Sequence, residues 1–228
     1  MTVHASNIRA SREITPLSTT GNLRKRGIYA RVVKRIFDLT LIIASLPFVL
    51  PFLLLISILI FASDGHSPIF RQERIGLFGK RFKIWKFRTM VPNAEEFLEK
   101  HLEENEGARA EWDEKQKLKH DPRCTSIGRI LRRSSLDELP QLINVLTGEM
   151  SLVGPRPMMP NQQAMYPGHG YYRLRPGMTG SWQVSARNQT TFADRARFDD
   201  LYEQELSLSE DVAIVRKTFG VVLRGTGV

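Results

Sequence analysis

One apolar segment constrains the fold more than any other feature, because the 24 residues from Leu39 to Ala62 include no charged side chain. At about 1.5 Å per residue, a helix of this length extends about 36 Å, enough to cross a hydrocarbon core of about 30 Å. A signal peptide is excluded, because both the apolar segment and its polar leader are too long. A buried core helix is the alternative, although such helices seldom lack charge over this length. We therefore predict a membrane helix.

Two prolines and the flanking charges predict the path of this helix. Pro47 and Pro51 lie near its middle, where each removes a backbone donor and should bend or break the helix. Basic residues mark the cytoplasmic side of a membrane helix, and here they occur on both flanks. They are Arg24, Lys25, Arg26, Arg31, Lys34 and Arg35 before the segment, and Arg71, Arg74, Lys80, Arg81, Lys83, Lys86 and Arg88 after it. We predict a re-entrant helix that enters and leaves by one face, in a monotopic protein.

The 228-residue chain divides into three predicted segments around this helix. Residues 1–27 are polar and aperiodic, and we expect a flexible basic tail. Residues 28–64 form the re-entrant membrane helix. Residues 65–228 form a cytoplasmic domain, so that the whole polar mass lies on one side of the membrane.

The pattern of the third segment predicts a mainly α fold with a small β-hairpin (α+β). Residues 68–89 alternate between apolar and polar side chains, which is typical of a hairpin, with its turn near residues 76–80. Residues 92–119 are acidic with sparse apolar positions and suggest a solvated helix pair. Residues 192–224 are helical in pattern, and Ser207-x-x-Glu210 forms a capping box. The Gly- and Pro-rich stretch between these helical regions is where we expect the chemistry.

Composition restricts the partners and the kinds of site. The 33 Lys and Arg residues exceed the 24 Asp and Glu residues, giving a net charge of +9. This excess indicates an anionic partner: nucleic acid, phospholipid headgroups or a phosphorylated substrate. Cys124 is the only cysteine, so disulfide frameworks and Cys-cluster metal sites are excluded. The five histidines show no metal-ligand spacing, and neither a P-loop nor a G-x-G-x-x-G motif is present.

The first constellation of chemical interest runs from Arg129 to Gln141. Ser135-x-x-Glu138 fits a capping box, so an ordinary helix start is one interpretation. Asp137 and Glu138 favour another, because adjacent carboxylates raise each other's pKa and so suit different roles. Arg132 and Arg133 precede them, and a helix N-terminus adds N–H donors, which together would hold phosphate beside a carboxylate.

Two further constellations contain arginines that could bind phosphate. Arg156 stands between Pro155 and Pro157, which fix the backbone either as a structural turn or as a rigid support for a diphosphate-binding side chain. Further along the chain, glycines allow tight turns and close approach of a ligand. This last constellation contains Arg173, Arg175, Gly177, Gly180 and Arg187, and some of its arginines are ordinary surface charges.

With these motifs the chain resembles a known family over about residues 31–225: the bacterial sugar transferases, which are monotopic polyprenol-phosphate phosphoglycosyl transferases. The matching motifs are Lys34–Asp38, Phe82–Met90 (F-K-I-W-K-F-R-T-M), Lys119–Arg123, Ser135–Gln141 (S-L-D-E-L-P-Q), Gly154–Pro157 and Arg175–Gly180. The chain is most similar to the short members that prime exopolysaccharide repeat units. It departs at Ser185-Ala186-Arg187-Asn188, where Asn/Ser-Gly-Arg-Asn is usual, and at Leu46-Pro47, where Ser-Pro is frequent.

The resemblance implies an enzyme that transfers a sugar-1-phosphate from a UDP-sugar to undecaprenyl phosphate, releasing UMP by a ping-pong mechanism. Asp137 would be the nucleophile and a Mg²⁺ ligand, and Glu138 its partner. The supporting residues would be Lys83 or Lys86, Arg129, Arg156, Arg187 and Asp199, with Arg132 and Arg175 as further phosphate ligands. Asp211 also matches a motif acid, although it could simply cap the last helix. UDP-galactose and UDP-glucose both remain open as donors.

The expected location is the cytoplasmic face of the bacterial inner membrane, among membrane lipids, with a homodimer as one option for assembly. Two other classes of function compete with this one. A non-catalytic membrane scaffold would tolerate replacement of Asp137 and Glu138. A basic nucleic-acid binder has only the net charge in its favour, because the basic residues lie beside the membrane segment and form no recognition motif, so we expect no nucleic-acid partner.

Overall fold

The computed structural model describes residues 27–115, 118–119, 121–185 and 191–223. The helices are α1 (Lys34–Asp64), α2 (Ala94–Glu104), α3 (Glu106–Lys115), α4 (Ser126–Ser134), α5 (Leu142–Thr147), α6 (Gly170–Arg173), α7 (Ser181–Ser185), α8 (Arg195–Glu205) and α9 (Leu208–Leu223). The strands are β1 (Ile69–Ile75), β2 (Arg81–Phe87), β3 (Ser151–Val153) and β4 (Gly177–Thr179). A π-helical turn, Tyr29–Val33, leads into α1, and 3-10 turns occupy Leu77–Gly79, Leu136–Gln141 and Pro160–Met165. The predicted tail therefore lies almost wholly outside the described residues.

The long helix α1 continues through both of its prolines. Pro47 and Pro51 lie inside a single helix of 31 residues, which ends where Gly65 takes the left-handed conformation. The structure therefore does not show the predicted break into two helices. The re-entrant path stays a prediction.

Most of the α1 surface is apolar and uncovered. Only 11% of its most apolar 18-residue window is buried. Phe48, Phe52 and Ile58 are 75%, 60% and 60% exposed. A core helix of a soluble protein would hide these side chains, so that alternative is wrong. The length and composition of α1 are those of a helix able to cross a membrane, which indicates membrane association.

The opposite face of α1 packs on the rest of the chain along almost its whole length. Ile42 joins Phe82, Val145 and Met150 in one buried cluster. Ile56 and Ile60 join Phe87 and Leu131 in a second. The buried positions of α1 follow one stripe at helical spacing: Lys34, Asp38, Ile42, Ile56 and Ile60. The predicted boundary at residue 64 therefore separates two segments that share a core.

The hairpin β1–β2 confirms the alternation seen in the sequence. Its strands are antiparallel, with Ile69 opposite Phe87 and Ile75 opposite Arg81. The turn covers the predicted residues and places Phe78 in the left-handed region (φ 56°). Phe82 and Ile84 point from β2 into the core beneath α1, and Lys86 continues the same row of alternate residues.

A second, parallel pair of strands was not predicted. Ser151 of β3 pairs with Gly177 of β4. The backbones approach so closely that a Cβ on Gly177 would lie 2.1 Å from Gly154 N, and one on Gly180 would lie 2.1 Å from Gly154 O. These motif glycines therefore serve the packing of two backbone segments, in place of the close approach of a ligand that we expected.

The predicted helical regions are present at both of their positions. Helices α2 and α3 pack on each other around Leu98, Leu102 and Leu118, with Trp112 against this small cluster. Helices α8 and α9 occupy the last predicted region, and Ser207 caps α9 by accepting a hydrogen bond from Glu210 N at 3.3 Å. The described fold is therefore mostly helical with small sheets.

Candidate functional site

The acid pair lies on a short 3-10 turn between α4 and α5. Ser135 takes a left-handed conformation (φ 57°) that ends α4 and makes no side-chain cap, so the predicted Ser135–Glu138 capping box is wrong. Leu136 and Leu139 pack against the cluster that contains Ile56 and Ile60 of α1. Asp137 and Glu138, between these leucines, line a cavity. The turn thus places two carboxylates directly beside the membrane helix.

This cavity, which we call the dyad cavity, has a volume of about 690 Å³. The hairpin, residues 88–95 and the dyad turn form most of its wall. Six cationic side chains line it: Arg74, Lys86, Arg88, Arg123, Arg132 and Arg156. Its acidic side chains are Glu95, Asp137 and Glu138. A cavity of this size and charge suits a phosphorylated ligand.

The two carboxylates of the dyad have different surroundings. Lys86 Nζ lies 2.8 Å from Glu138 Oε1, and Arg156 Nη2 lies 3.2 Å from the same oxygen. Lys86 Nζ lies 3.8 Å from Asp137 Oδ2, too far for a hydrogen bond. Glu138 is therefore held by two cations, while Asp137 faces the cavity with a looser ion pair.

Burial raises the pKa of Asp137. Lys86 opposes this effect, and the neighbouring charge of Glu138 adds to it. The predicted effect of Glu138 on the pKa of Asp137 is confirmed in direction, although desolvation is the larger cause. A desolvated carboxylate with one loosely held cation is a stronger nucleophile than a fully solvated one.

The predicted arginines of α4 separate into two groups. Arg132 lines the dyad cavity, where its Nε donates to Thr89 Oγ1 at 2.9 Å. Arg129 turns back on its own helix and donates to Cys124 O at 3.0 Å and to Ser126 Oγ at 3.1 Å. Arg129 is absent from the lining of the cavity.

Four other predicted residues lie outside the dyad cavity or outside the described chain. Lys83 is exposed on β2, while Lys86 reaches the acid pair. Arg175 donates to Gly148 O at 2.9 Å and lines a different cavity. Asp199 is buried and accepts a hydrogen bond from Tyr166 at 2.6 Å. Arg187 lies among residues that the structure does not describe.

Asp199 nevertheless interacts with Arg195, a residue that bonds to the wall of the dyad cavity. Burial raises its pKa to about 6, against the opposing effects of the Tyr166 hydroxyl and the Arg195 charge. Arg195 Nη2 in turn donates to Arg156 O at 2.6 Å. Asp199 and Arg195 therefore support the segment that carries Arg156.

Three cations of the cavity, Arg74, Arg88 and Arg123, were not predicted as site residues. Arg74 lies next to Arg156, and burial together with this like charge lowers its pKa to about 10. Arg88 Nη1 forms an ion pair with Asp64 at 2.5 Å, so it connects the end of α1 with the cavity wall. Arg88 and Arg123 stand in the family motifs, whereas Arg74 was predicted only as a flanking charge of the membrane helix. The alternate positions of Arg74 and Arg88 along the hairpin were the available signal.

The motif at the start of α1 anchors this helix to the rest of the chain. Asp211, which is fully buried, accepts hydrogen bonds from Lys34 Nζ and Tyr29 Oη at 2.5 Å each and from the hydroxyl of Tyr202. Asp38 accepts a hydrogen bond from Ser151 Oγ at 2.7 Å. We call the group of Asp211, Lys34, Tyr29 and Tyr202 the anchor cluster. Asp211 therefore does more than cap the last helix.

The donor set of the dyad cavity fits a magnesium ion that is shared with a ligand. No group of three or more His, Cys, Asp or Glu side chains in the described ranges could hold a metal ion alone. Mg²⁺ usually takes one or two protein carboxylates and completes its coordination with water and substrate phosphates. Asp137 and Glu138 can supply those carboxylate oxygens beside the phosphate-binding arginines.

Comparisons with known proteins place the chain in a family. The family model described as bacterial sugar transferase matches residues 29–225. A UDP-galactose-lipid carrier transferase from Erwinia amylovora is 47% identical over 219 residues, covering 95% of this chain and 45% of that protein. An undecaprenyl-phosphate galactose phosphotransferase from Salmonella typhimurium is 44% identical, with the same coverage of 95% and 45%. The exopolysaccharide production protein ExoY of Sinorhizobium fredii is 43% identical, covering 91% of this chain and 92% of ExoY.

The chain thus spans about half the length of the first two relatives and nearly all of the third. The residues that the family model matches include α1, the dyad turn and the anchor cluster. The recognition suggested by the sequence motifs is confirmed: the chain belongs to the bacterial sugar transferase family.

Proposed function

We propose that the chain transfers a sugar-1-phosphate from a UDP-sugar to undecaprenyl phosphate, the priming step of exopolysaccharide synthesis. The single observation that carries this proposal is the position of Asp137, a half-buried carboxylate in a cation-lined cavity. The turn that carries Asp137 packs on the membrane helix. A water-soluble nucleotide sugar and a lipid phosphate can both reach such a site. The names of the relatives point to the same substrates.

The proposed reaction has two steps, and each step forms one bond to the β-phosphorus and breaks another. An Asp137 oxygen attacks the β-phosphorus of the UDP-sugar, and the bond from this phosphorus to the bridging oxygen breaks. UMP leaves with the bridging oxygen and its electron pair, and the phosphosugar remains on Asp137 as an acyl phosphate. An oxygen of undecaprenyl phosphate then attacks the same phosphorus and releases the Asp137 carboxylate.

The charges of the cavity favour this division into two steps. UDP-sugar and undecaprenyl phosphate are both anions, and together in one cavity they would repel each other. When UMP leaves first, the lipid phosphate enters a cavity with less negative charge. Arg74, Arg132 and Arg156 would bind the diphosphate, and Lys86 would hold Glu138 in place.

Magnesium is part of this proposal. Asp137, with Glu138 beside it, would hold Mg²⁺ together with diphosphate oxygens, and the ion would neutralise charge on the phosphates and on the departing UMP. The arginines of the cavity share that task, so binding of the donor depends on both.

The contacts of α1 support a monotopic, re-entrant arrangement. Lys34, near its start, bonds to Asp211, and Asp64, at its end, pairs with Arg88. Both partners belong to the same packed domain, which supports a path with both ends of the helix on one side of the membrane. The basic flanks favour the cytoplasmic face of the inner membrane. A homodimer stays a prediction.

The topology can be tested by cysteine labelling after Cys124→Ser. Single cysteines at Ser18 and Ser126 should both resist a membrane-impermeant maleimide in intact cells and react after lysis. Labelling of only one of them from outside would exclude the re-entrant path. Pro47→Ala with Pro51→Ala would favour a straight span, because the helical hydrogen bonds could re-form.

The donor sugar is galactose or glucose in this proposal. The two first relatives carry galactose in their names. A panel of UDP-sugars assayed with undecaprenyl phosphate, with UMP release as the readout, would decide between them.

The covalent step is tested by omitting the lipid. Protein incubated with UDP-sugar and Mg²⁺ should release UMP and gain the mass of one phosphosugar at Asp137, labile to hydroxylamine. Asp137→Asn should form no adduct, while Asp113→Asn on α3, an exposed matched control, should form it as the wild type does. UMP release only in the presence of lipid, with intersecting kinetic lines, would replace this model by direct transfer.

A further inference from the structure

A second cavity lies at the start of α1 and has no part in the proposed reaction. Its volume is about 350 Å³, and it shares no lining residue with the dyad cavity. It lies between the first turns of α1, the hairpin tip and residues 173–175. Its charged lining residues are Arg31, Lys34, Arg35, Asp38, Arg173 and Arg175. We call it the basic cavity.

Some of these charges are neutralised by partners inside the protein. Lys34 pairs with Asp211, and Arg173 pairs with Glu203 at 2.9 Å. Asp38, the acid in the lining, accepts hydrogen bonds from Ser151 Oγ and from the backbone N–H of Leu152. The two ion pairs contribute little net charge to the cavity, and Asp38 offsets at most one of the remaining cations.

Three arginines keep their charge. Within the described chain, Arg31, Arg35 and Arg175 have no carboxylate at ion-pair distance. Arg35 donates to the carbonyls of Val145 and Leu146, and Arg175 donates to Gly148 O. These carbonyls lie at the C-terminus of α5, whose partial negative charge offsets only part of the positive charge of Arg35 and Arg175. The basic cavity therefore has an excess of positive charge.

Exposed apolar side chains surround this charge. Phe78, at the hairpin tip, is 72% exposed, and Ile36 and Val32 on α1 are 59% and 52% exposed. The backbone of Phe78 has φ 56°, a left-handed conformation that aromatic residues seldom adopt. Cations beside exposed apolar side chains at the end of a membrane helix are typical of the depth at which lipid headgroups lie.

We propose that the basic cavity binds the phosphate of an anionic phospholipid, with phosphatidylglycerol as the headgroup class. The phosphodiester would lie among Arg31, Arg35 and Arg175, and the acyl chains would extend along Ile36 and Phe78. The lipid would fix the depth and orientation of the start of α1, at a site separate from the one where the acceptor lipid reacts.

The test uses the full chain in detergent and native mass spectrometry. Wild-type protein should retain one dioleoylphosphatidylglycerol in preference to dioleoylphosphatidylcholine at equal mole fraction. Arg31→Gln removes a charge that forms no hydrogen bond within the described residues, and it should weaken retention about fivefold. Phe78→Asn keeps a residue suited to the left-handed turn, and together with Arg31→Gln it should weaken retention at least tenfold. The matched control is Arg109→Gln on α3, an exposed arginine that lines neither cavity, which should leave retention unchanged.

Several results would overturn the proposal. Equal retention of the neutral lipid, or no change in the Arg31→Gln variant, would show that the cavity does not select anionic lipid. Displacement of the retained lipid by millimolar inorganic phosphate would identify a free-phosphate site. Displacement by equimolar farnesyl phosphate would assign the cavity to the acceptor. None of these readouts depends on turnover, so failure here leaves the proposed reaction standing.

Discussion

Asp137 and Asp211 both lie beside the membrane helix with little exposed surface, yet their surroundings differ. Asp211 has no exposed surface and takes hydrogen bonds from a lysine and two tyrosines. The side chain of Asp137 is 13% exposed and has one cation at 3.8 Å. A buried carboxylate whose bonds are all satisfied stabilises a fold, whereas one left partly unsatisfied and facing a cavity is available for chemistry. Residue type and burial alone do not distinguish the two roles.

The largest effect should come from Asp137→Asn. The amide has nearly the same shape but cannot attack phosphorus as an anion, so we expect turnover to fall at least about 10³-fold. UMP release and retention of the folded state are the measurements. Near-normal turnover in a folded variant would assign the chemistry elsewhere and revive the scaffold hypothesis.

Asp211→Asn should act on stability instead. It leaves Lys34 buried without a counter-charge, which costs about 3–5 kcal/mol. We expect the melting temperature in detergent to fall on the order of 10 °C. The double variant with Lys34→Met should recover part of this loss, because no charge is then left unpaired. A variant that keeps its melting temperature but loses turnover would contradict the anchoring role.

The pH profile of UMP release should show an acid limb from Asp137. The reactive form is the carboxylate, and burial raises its pKa, so activity should decline at a higher pH than an ordinary aspartate would cause. Asp199, with a pKa of about 6, is a second group that could cause an acid limb. Asp199→Asn separates the two, because it should leave the acid limb in place. Loss of the limb in that variant would assign it to Asp199.

The smallest effect should be a gain in stability from Asp137→Asn. The folded state raises the pKa of Asp137 and thus binds its proton more tightly than the unfolded state does. Stability contributed by this group is present at low pH and is lost as pH rises through the raised pKa. At pH 7.5 the variant should therefore melt a few degrees higher, on the order of 1 kcal/mol, and the difference should vanish near pH 4. A lower melting temperature at pH 7.5 would show that the charge of Asp137 is stabilised.

The sequence predicted the features that have a local pattern. The uncharged run predicts α1, the alternation of residues 68–89 predicts the hairpin, and the motif around Asp137 predicts the dyad. Strands β3 and β4 have three residues each, too few for any periodicity to appear. The sequence could not show which arginines line the dyad cavity, because Arg129 and Arg132 share a helix and differ only in side-chain direction.

Contacts between distant residues were also beyond the sequence. Lys34 and Asp211 are 177 positions apart, and neither has a neighbour that marks the other as its partner. Asp211 was recognised only as a motif acid. Its anchoring role follows from tertiary packing, which brings the start of α1 against α8 and α9.

The polar residues on the buried stripe of α1 bond to segments of the chain that are synthesised after the helix. Along the chain α1 is made before Ser151, which bonds Asp38 and follows 113 positions later, and Asp211 follows later still. Until those segments are made, Lys34 and Asp38 must be solvated, since both are costly to place in hydrocarbon unpaired. Lipid can therefore cover the outer face of the helix before protein covers the inner one.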